Sequence, residues 1–354
     1  MYELNKKISN LEPYKAIEGD YKIRLDANES CFNLDETMLQ EVSKAVSKVA
    51  FNRYPDWSAK EPIKAFANLY GLNENLITAG NGSDELISII ESCFLETNDT
   101  IVTLSNDFSM YAFYSSLYET NVEVFQKEEN LTINVDKLIQ FCLDKNARAL
   151  IFSNPCNPTS LGLDKVEVRK ILKFLPDCLV ILDEAYMDFW KNQSMLGEIQ
   201  NYDNCIILKT CSKALGLASI RMGFAIASEK ITNALKSVKS PYNTDSVSQA
   251  IVTTVLSNKF YVDIHTNQII ENIKEFKNDI LKLQEKYPDV LEEVYPSVTN
   301  FVFIKTPYDE VIFNKMFEHS IAIRRFKGYL RINTGTKYEN AEVLKVLEEI
   351  ISKL

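Results

Sequence analysis

The sequence is poor in histidine and has no paired-cysteine motif. Only His265 and His319 occur among 354 residues, and neither lies near another motif. The seven cysteines are scattered and include no Cys-x-x-Cys pair, which is not the pattern of a disulfide framework or a zinc site. We therefore expect no histidine-based catalysis, no bound metal, and a reducing cytoplasm as the compartment.

Long apolar runs and an excess of basic residues are also absent. Met1 to Asp20 alternates charges with short apolar patches, so it predicts neither a signal peptide nor a membrane span. The formal net charge of -10 argues against a surface for nucleic acid or an anionic membrane, because the field of the whole molecule would repel either one. Small anionic ligands remain compatible with local basic residues.

What the chain does have is a hydrophobic content of 46% and seven short apolar runs that alternate with helical periodicity between Pro62 and Ala227. The pattern is typical of βα units around a mostly parallel sheet. The runs are Leu76 to Ala79, Thr100 to Leu104, Val122 to Phe125, Ala149 to Ser153, Leu179 to Leu182, Cys205 to Lys209 and Gly223 to Ala227.

The C-terminal third has a different pattern. Ile231 to Val238, Ser246 to Lys286 and Ala341 to Leu354 predict helices, and three strands are predicted over Asn300 to Ile304, Ile321 to Arg324 and Tyr329 to Ile332. We therefore predict an α/β fold with a large domain over residues 45–245, in which a mostly parallel seven-stranded sheet lies between helices. A smaller α+β domain is predicted over residues 1–44, the N-terminal arm, and 246–354.

Sheets of this kind bind ligands beyond the carboxyl ends of their strands, so the polar residues after each run are candidate site residues. Asp183 ends one buried run, where burial would raise the pKa of its carboxyl group unless a cation compensates. A protonated pyridine nitrogen is such a cation, although Asp183 would also suit the cap of a following helix. An ATPase interpretation of Asp183 and Glu184 fails, because the Gly-Lys dipeptide of a phosphate-binding loop is missing.

Lys213 follows the run Cys205 to Lys209, and its neighbours in sequence are apolar or small. Desolvation there lowers a lysine pKa toward that of a nucleophilic amine, although most lysines are surface residues. Downstream, Arg221 is predicted to open the strand that runs to Ala227. Together with the hydroxyls of Thr210 and Ser212 it suits a phosphate, and a structural ion pair of Arg221 is the alternative.

A second cradle for phosphate follows the first run. Gly80-Asn-Gly82-Ser83-Asp84 is a glycine turn that opens an amphipathic helix, whose free amides attract anions. A simple helix cap is the alternative interpretation. Asn157, in a loop made rigid by two prolines, and Tyr186 suit a phenolic oxygen, and Phe108 suits either a stacking position or plain core. This order of groups points to pyridoxal phosphate.

These residues, in this order, resemble the fold-type I pyridoxal-phosphate aminotransferases and, within them, the histidinol-phosphate aminotransferase family. The resemblance covers nearly the whole chain. Its most specific segments are Leu25-Asp-Ala-Asn-Glu29, Asn52-Arg-Tyr-Pro-Asp56, Asn154-Pro-Cys-Asn-Pro-Thr159, Asp183-Glu-Ala-Tyr186, Ser212-Lys213 with Arg221, and Leu330-Arg-Ile-Asn333.

The resemblance implies a role for each matched residue. Lys213 would bond the cofactor, Asp183 would face the pyridine nitrogen, and Asn157 with Tyr186 would hold the 3-oxygen. The phosphate would be held by Ser83, Asp84, Ser212 and Arg221, with Tyr54 reaching it from the neighbouring subunit of a homodimer. The substrate contacts implied are Tyr14, Asn28, Arg324 and Arg331.

The resemblance also implies the reaction, a transamination between a small phosphorylated amine, with histidinol phosphate first, and the pair glutamate and 2-oxoglutarate. The chain departs from the usual motifs at Ser160 and Ser219, which stand where glycine is usual, and at Phe108, where tyrosine is usual. Three alternatives stay open: an aminotransferase making an amino alcohol phosphate for sugar or capsule synthesis, a phosphorylated-amino-acid decarboxylase, and a cofactor-sensing regulator. The regulator is disfavoured because no segment is left for a basic DNA-binding module.

Overall fold

The computed structural model describes residues 2–9, 11, 17–191 and 193–354. Its strands, numbered along the chain, are β1 (Ile23–Arg24), β2 (Ile77–Gly80), β3 (Thr100–Leu104), β4 (Asn121–Phe125), β5 (Ala149–Ser153), β6 (Leu179–Asp183), β7 (Cys205–Thr210), β8 (Gly223–Ala227), β9 (Glu293–Val294), β10 (Phe301–Lys305), β11 (Ile321–Ala322), β12 (Arg324–Phe326) and β13 (Tyr329–Asn333). Its helices are α1 (Lys6–Ser9), α2 (Glu36–Val46), α3 (Lys60–Tyr70), α4 (Gly82–Phe94), α5 (Met110–Leu117), α6 (Val135–Asp144), α7 (Lys165–Phe174), α8 (Glu229–Val238), α9 (Ser246–Leu256), α10 (Lys259–Lys286), α11 (Asp309–Glu318) and α12 (Lys337–Ile351).

The central sheet has seven strands in the spatial order β2-β8-β7-β6-β5-β3-β4. Only β8 runs antiparallel to its neighbours, so the carboxyl ends of the other strands and the start of β8 meet at one edge. The predicted α/β fold with a mostly parallel seven-stranded sheet is confirmed. Each predicted run lies within one residue of its strand at either end.

Both faces of this sheet are covered, and neighbouring residues of a strand belong to different cores. Phe152 and Leu182 pack on one side with α2, α3, α6, α7 and α9. Ile151 and Ile181 pack on the other with α4, α5 and α8. Because side chains alternate along a strand, a sheet buried on both faces needs an unbroken apolar run.

The remaining strands form two small sheets. A four-stranded antiparallel sheet has the order β12-β13-β10-β9, and β1 pairs in parallel with β11. Their core is shared with α10, α11 and α12. The predicted strand Ile321 to Arg324 is therefore divided at Ile323 between the two sheets, and the predicted helix Ser246 to Lys286 is interrupted where Asn258 accepts a hydrogen bond from the Tyr261 amide and caps α10.

The predicted domain boundaries at residues 45 and 245 stay a prediction. Both α2 and α9 pack in the core of the central sheet, although they lie largely or wholly on the small-domain side of those boundaries. In the described part of the chain, none of the helices has the length and apolar composition needed to cross a membrane.

The Phe66→Ala substitution should destabilise the core beside β8. Phe66 is 1% exposed and stacks on Phe224 with the ring centroids 4.2 Å apart, so the truncation leaves a cavity that costs roughly 3–5 kcal/mol. Thermal unfolding followed by circular dichroism checks this, with Phe174→Ala as the matched control because Phe174 is 52% exposed. Equal melting temperatures for the two variants would contradict the assignment of Phe66 to the core.

Candidate active site

A cavity of about 820 Å³ lies at the edge where the strands of the central sheet end, between that sheet and the β12-β13 hairpin. Most of the residues predicted from the sequence line it. These are Asn28, Ser83, Asp84, Phe108, Asn157, Asp183, Tyr186, Thr210, Ser212, Lys213, Arg221, Arg324 and Arg331.

Asp183, the last residue of β6, presents a buried carboxylate to the cavity. Its Oδ2 accepts a hydrogen bond from the Tyr111 hydroxyl at 2.9 Å, and its Oδ1 accepts one from the Ala185 amide at 3.0 Å. Burial raises the pKa of Asp183 to about 6, because these two hydrogen bonds compensate only part of the lost hydration. A cation placed against this carboxylate would restore its usual acidity.

Lys213 lies three residues beyond the end of β7, partly buried in the cavity wall. Its Nζ donates to the Ala27 carbonyl at 2.8 Å and lies 5.9 Å from the centre of the Tyr186 ring. Burial lowers the pKa of Lys213 to about 8, and the positive charges of Arg331 and Arg221 act in the same direction. The amine is thus available as a nucleophile at mildly alkaline pH.

An anion cradle forms where α4 begins and β8 starts. Gly82 has φ +80°, and a Cβ there would lie 2.8 Å from Arg221 Nη2. A Cβ at Gly223 would lie 2.8 Å from the Ser83 amide nitrogen, so both glycines keep this space open. Asn81, the N-cap residue of α4, makes no side-chain capping hydrogen bond. Backbone amides of the first turn are therefore left to attract an anion.

Arg221 adds its guanidinium to this cradle. Its Nη1 donates to Ser212 Oγ at 3.3 Å and its Nη2 to Asp84 Oδ2 at 3.3 Å. The sequence prediction that Arg221 begins a strand is wrong, because it has φ +51° and β8 begins two residues later. This left-handed turn brings the guanidinium next to the helix N-terminus.

Asn157 and Tyr186 are held by hydrogen bonds from other elements. The Asn157 amide nitrogen of the backbone donates to Ser153 Oγ at 3.0 Å, and its side-chain Oδ1 accepts from Arg331 Nη1. The Tyr186 hydroxyl accepts from Asn28 Nδ2 at 2.9 Å, and burial raises the pKa of Tyr186 to about 12. The phenol is therefore protonated and has a hydrogen to donate at neutral pH.

The structure also separates two arginines that are adjacent in sequence. Arg324 lines the cavity, whereas Arg325 makes ion pairs with Asp309 at 2.6 Å and Glu310 at 2.8 Å. The sequence left this register ambiguous. Phe108 lines the cavity as well, edge to face with the Tyr111 ring at 5.5 Å.

Among the described residues, two that were predicted for the site are not in the cavity lining. Gly82 lies directly behind it, in contact with Arg221 as described above. Tyr54 is 82% exposed and stacks on Tyr242 at 4.7 Å, away from the cavity of its own chain. Tyr14 lies outside the described residues.

Comparison with known proteins identifies the family. The family model described as aminotransferase class I and II matches residues 20–349. The chain belongs to this family.

Individual aminotransferases match over nearly their whole length. The histidinol-phosphate aminotransferase of Clostridium kluyveri is 37% identical over 351 residues, covering 98% of each chain, and that of Clostridium novyi is 36% identical, covering 97% of this chain and 96% of its own. The crystal structure of histidinol-phosphate aminotransferase from Sinorhizobium meliloti in complex with pyridoxal-5'-phosphate superposes with a TM-score of 0.89 at 21% identity, covering 100% of this chain and 98% of the other.

The chain is a transaminase that depends on pyridoxal 5'-phosphate. The residues present fit this cofactor by their own geometry. The cradle kept open by Gly82 and Gly223 suits a phosphate, and the buried carboxylate of Asp183 suits a protonated ring nitrogen. Lys213 lines the same cavity and has an amine of lowered pKa.

Sequence reasoning missed several side chains at this aminotransferase site. Tyr111 binds Asp183 from the first turn of α5, and Asp107, Ser153 and Glu29 line the cavity. Tyr111 lies three residues after Phe108, so a helix starting there would place both on the sheet edge. Glu29 belongs to the segment Leu25 to Glu29 that carries the resemblance, but no role was predicted for it.

The Lys213 amine should react with an aldehyde at lower pH than surface lysines do. Since only the neutral amine attacks, the rate of its labelling by pyridoxal and borohydride should rise with pH to a midpoint near 8. Peptide mapping of the cofactor-free protein measures this rate, and Lys213→Arg serves as the control that loses the label. A rate still rising steeply above pH 10 would contradict the lowered pKa.

Proposed function

We propose that this transaminase is a histidinol-phosphate aminotransferase, exchanging the amino group of histidinol phosphate with 2-oxoglutarate to give imidazole acetol phosphate and glutamate. The names of relatives at 37% and 36% identity support this substrate. The structural observation that carries the proposal is a pair of arginines facing the cavity from the small sheet.

Arg324 and Arg331 are direct cross-strand partners on β12 and β13, and both line the cavity. Like charges directly opposite each other on a sheet are destabilising, so the pair suits a site where an anion offsets the repulsion. A planar guanidinium binds either a carboxylate or a phosphate through two parallel hydrogen bonds. The two anionic partners of the proposed reaction, a phosphate ester and a dicarboxylate, match this pair.

The cofactor contacts proposed for this chain follow the cavity walls. Asp183 holds the ring nitrogen, Asn157 and Tyr186 hold the 3-oxygen, and Phe108 covers a ring face. The phosphate would be held by Gly82, Ser83, Asp84, Thr210, Ser212 and Arg221, and the substrate by Asn28, Arg324 and Arg331. Tyr14, which lies outside the described residues, is proposed as a further substrate contact on the resemblance alone. When bound, the protonated ring withdraws the electrons that proton removal leaves on the substrate α-carbon.

Lys213 is the residue proposed to act as nucleophile and as proton carrier in this reaction. Its Nζ would hold the aldehyde group of the cofactor, and as a free amine it would take the proton from the substrate α-carbon. A pKa of about 8 suits this role near neutral pH, because the amine can both accept and return a proton. The Ala27 carbonyl, 2.8 Å away, orients the amine.

The proposed assembly is a homodimer in the cytoplasm, in which Tyr54 reaches the phosphate of the partner's site. Exposed aromatic rings support the interface, since Phe51, Tyr54 and Trp57 are 76%, 82% and 60% exposed within one segment. A cluster of this kind marks a protein contact. All seven cysteines are unpaired, which suits a reducing compartment.

Purified protein loaded with cofactor should convert more than one equivalent of histidinol phosphate per site only when 2-oxoglutarate is present. Lys213→Ala should lower kcat by about 10⁴-fold, because both the nucleophile and the proton carrier are lost. A coupled glutamate assay measures turnover, with Lys353→Ala, an exposed lysine, as the control. Carbon dioxide release from phosphothreonine without an oxoacid would favour the decarboxylase, and a preference for an amino alcohol phosphate would favour the sugar or capsule enzyme.

Mixed dimers should show whether Tyr54 acts on the partner's site. When Tyr54→Ala and Lys213→Ala chains are refolded together, each heterodimer should hold one site with both native side chains, so activity should recover to about a quarter of wild type. Gel filtration and the glutamate assay measure assembly and recovery. If Tyr54 served the site of its own chain, mixing would restore nothing.

A further inference from the structure

Asp107, three residues before α5 begins, makes three hydrogen bonds at the wall of the cavity. Its Oδ1 accepts from the Ser153 hydroxyl and from the Phe108 backbone amide, the latter at 2.7 Å. Its Oδ2 accepts from the Ser153 backbone amide at 3.3 Å. The carboxylate therefore ties the loop after β3 to the end of β5 using both oxygens.

Ser153 links Asp107 to Asn157, the residue proposed to bind the 3-oxygen of the cofactor. Its Oγ, which donates to Asp107, accepts from the Asn157 backbone amide at 3.0 Å. Ser153 is 3% exposed and is the register partner of Asp183 on β6. One hydroxyl thus connects the Asp107 carboxylate to the loop that carries Asn157.

The side chain of Asn157 is fixed at its other end as well. Arg331 donates to its Oδ1, so the amide nitrogen is the atom with which Asn157 can donate into the cavity. A donor held at the backbone and at the oxygen has little rotational freedom left. Its direction depends on where Ser153 places the backbone.

Lys127 supplies the charge that a carboxylate in this position needs. Its Nζ donates to the Asn106 carbonyl at 3.0 Å and to Cys156 Sγ at 3.1 Å. Burial raises the pKa of Asp107, and the positive charge of Lys127 opposes that rise. Lys127 itself is not among the residues that line the cavity.

We propose that Asp107, acting through the hydroxyl of Ser153, is a positioning residue that fixes Asn157 and Phe108 where the cofactor ring is bound. The inference rests on the proposed function, because it assumes that these two residues contact the ring. Asp107 itself touches no reacting atom. Its role is to keep one hydrogen-bond donor and one aromatic face in place before the cofactor arrives.

Three variants and one control test this role. Ser153→Ala removes the hydroxyl oxygen that connects Asp107 to Asn157. Asp107→Asn leaves one acceptor oxygen where the carboxylate has two. The double variant combines these two changes. Asp289→Asn is the control, because Asp289 is exposed. For each, we would measure kcat, KM, the dissociation constant of pyridoxal 5'-phosphate from the protein, and the melting temperature.

The pH titration of the bound cofactor's visible absorbance adds a readout that a merely structural role would not move. A hydrogen bond to an ionised oxygen favours the ionised form, so a misplaced Asn157 should shift the titration midpoint of Ser153→Ala upward by about half a pH unit. We also expect kcat to fall about 10-fold with KM changed less, as for other supporting residues of a site.

The double variant decides whether the two side chains act together. If Asp107 works through Ser153, the double variant should be no worse than the worse single variant, because coupled residues are not additive. Additive losses, or a kcat and midpoint equal to those of Asp289→Asn, would overturn the proposal. Ser153→Ala, which removes a single oxygen atom, decides alone if Asp107→Asn does not fold.

The wild-type protein separates this inference from the proposed function. If wild type neither takes up the cofactor nor transfers an amino group, the proposed function fails. If wild type does both and the folded variants match the control, only the role of Asp107 and Ser153 fails.

Discussion

The burial of two titratable side chains of opposite charge type sets the conditions for the rest of the site. Removing Asp183 from water raises its pKa to about 6, and removing Lys213 from water lowers its pKa to about 8. Each shift brings the group closer to its neutral form near pH 7 than it would be on the surface. The pocket therefore holds a carboxylate that a nearby cation would stabilise and an amine that loses its proton more readily than a surface lysine does, and both properties suit pyridoxal phosphate.

The fold imposes this burial through the parallel sheet. Strands covered on both faces end in apolar surroundings. Asp183, at the end of β6, and Lys213, shortly after β7, are therefore shielded from water by their positions at these strand ends. The same edge brings the anion cradle of α4 and β8 alongside them, since β8 reverses direction and begins where its neighbours end. A local change at one strand end would disturb all three groups.

The sequence was sufficient to predict those features that depend on local pattern. Unbroken apolar runs marked the strands, and the residues after Leu182 and Lys209 marked the site. It failed where a position depends on a tertiary contact. Arg221 belongs to a left-handed turn that only the neighbouring Gly82 and Ser212 explain, and Tyr111 counts as a site residue only because α5 packs against the end of β6.

The two sheets that line the cavity suit different ligands, the cofactor on one side and the substrate on the other. The central sheet supplies groups whose pKa values and hydrogen bonds suit the cofactor, and these would serve any amino substrate. The small sheet supplies Arg324 and Arg331, whose mutual repulsion an anionic substrate offsets. Arg331 also connects the two sides, because it donates to Asn157 and, at 2.5 Å, to the Asp26 carbonyl. Under the proposed function, the small sheet would therefore select the substrate and the large sheet would supply the chemistry. Because Arg331 contacts both sides, a substitution there would affect both.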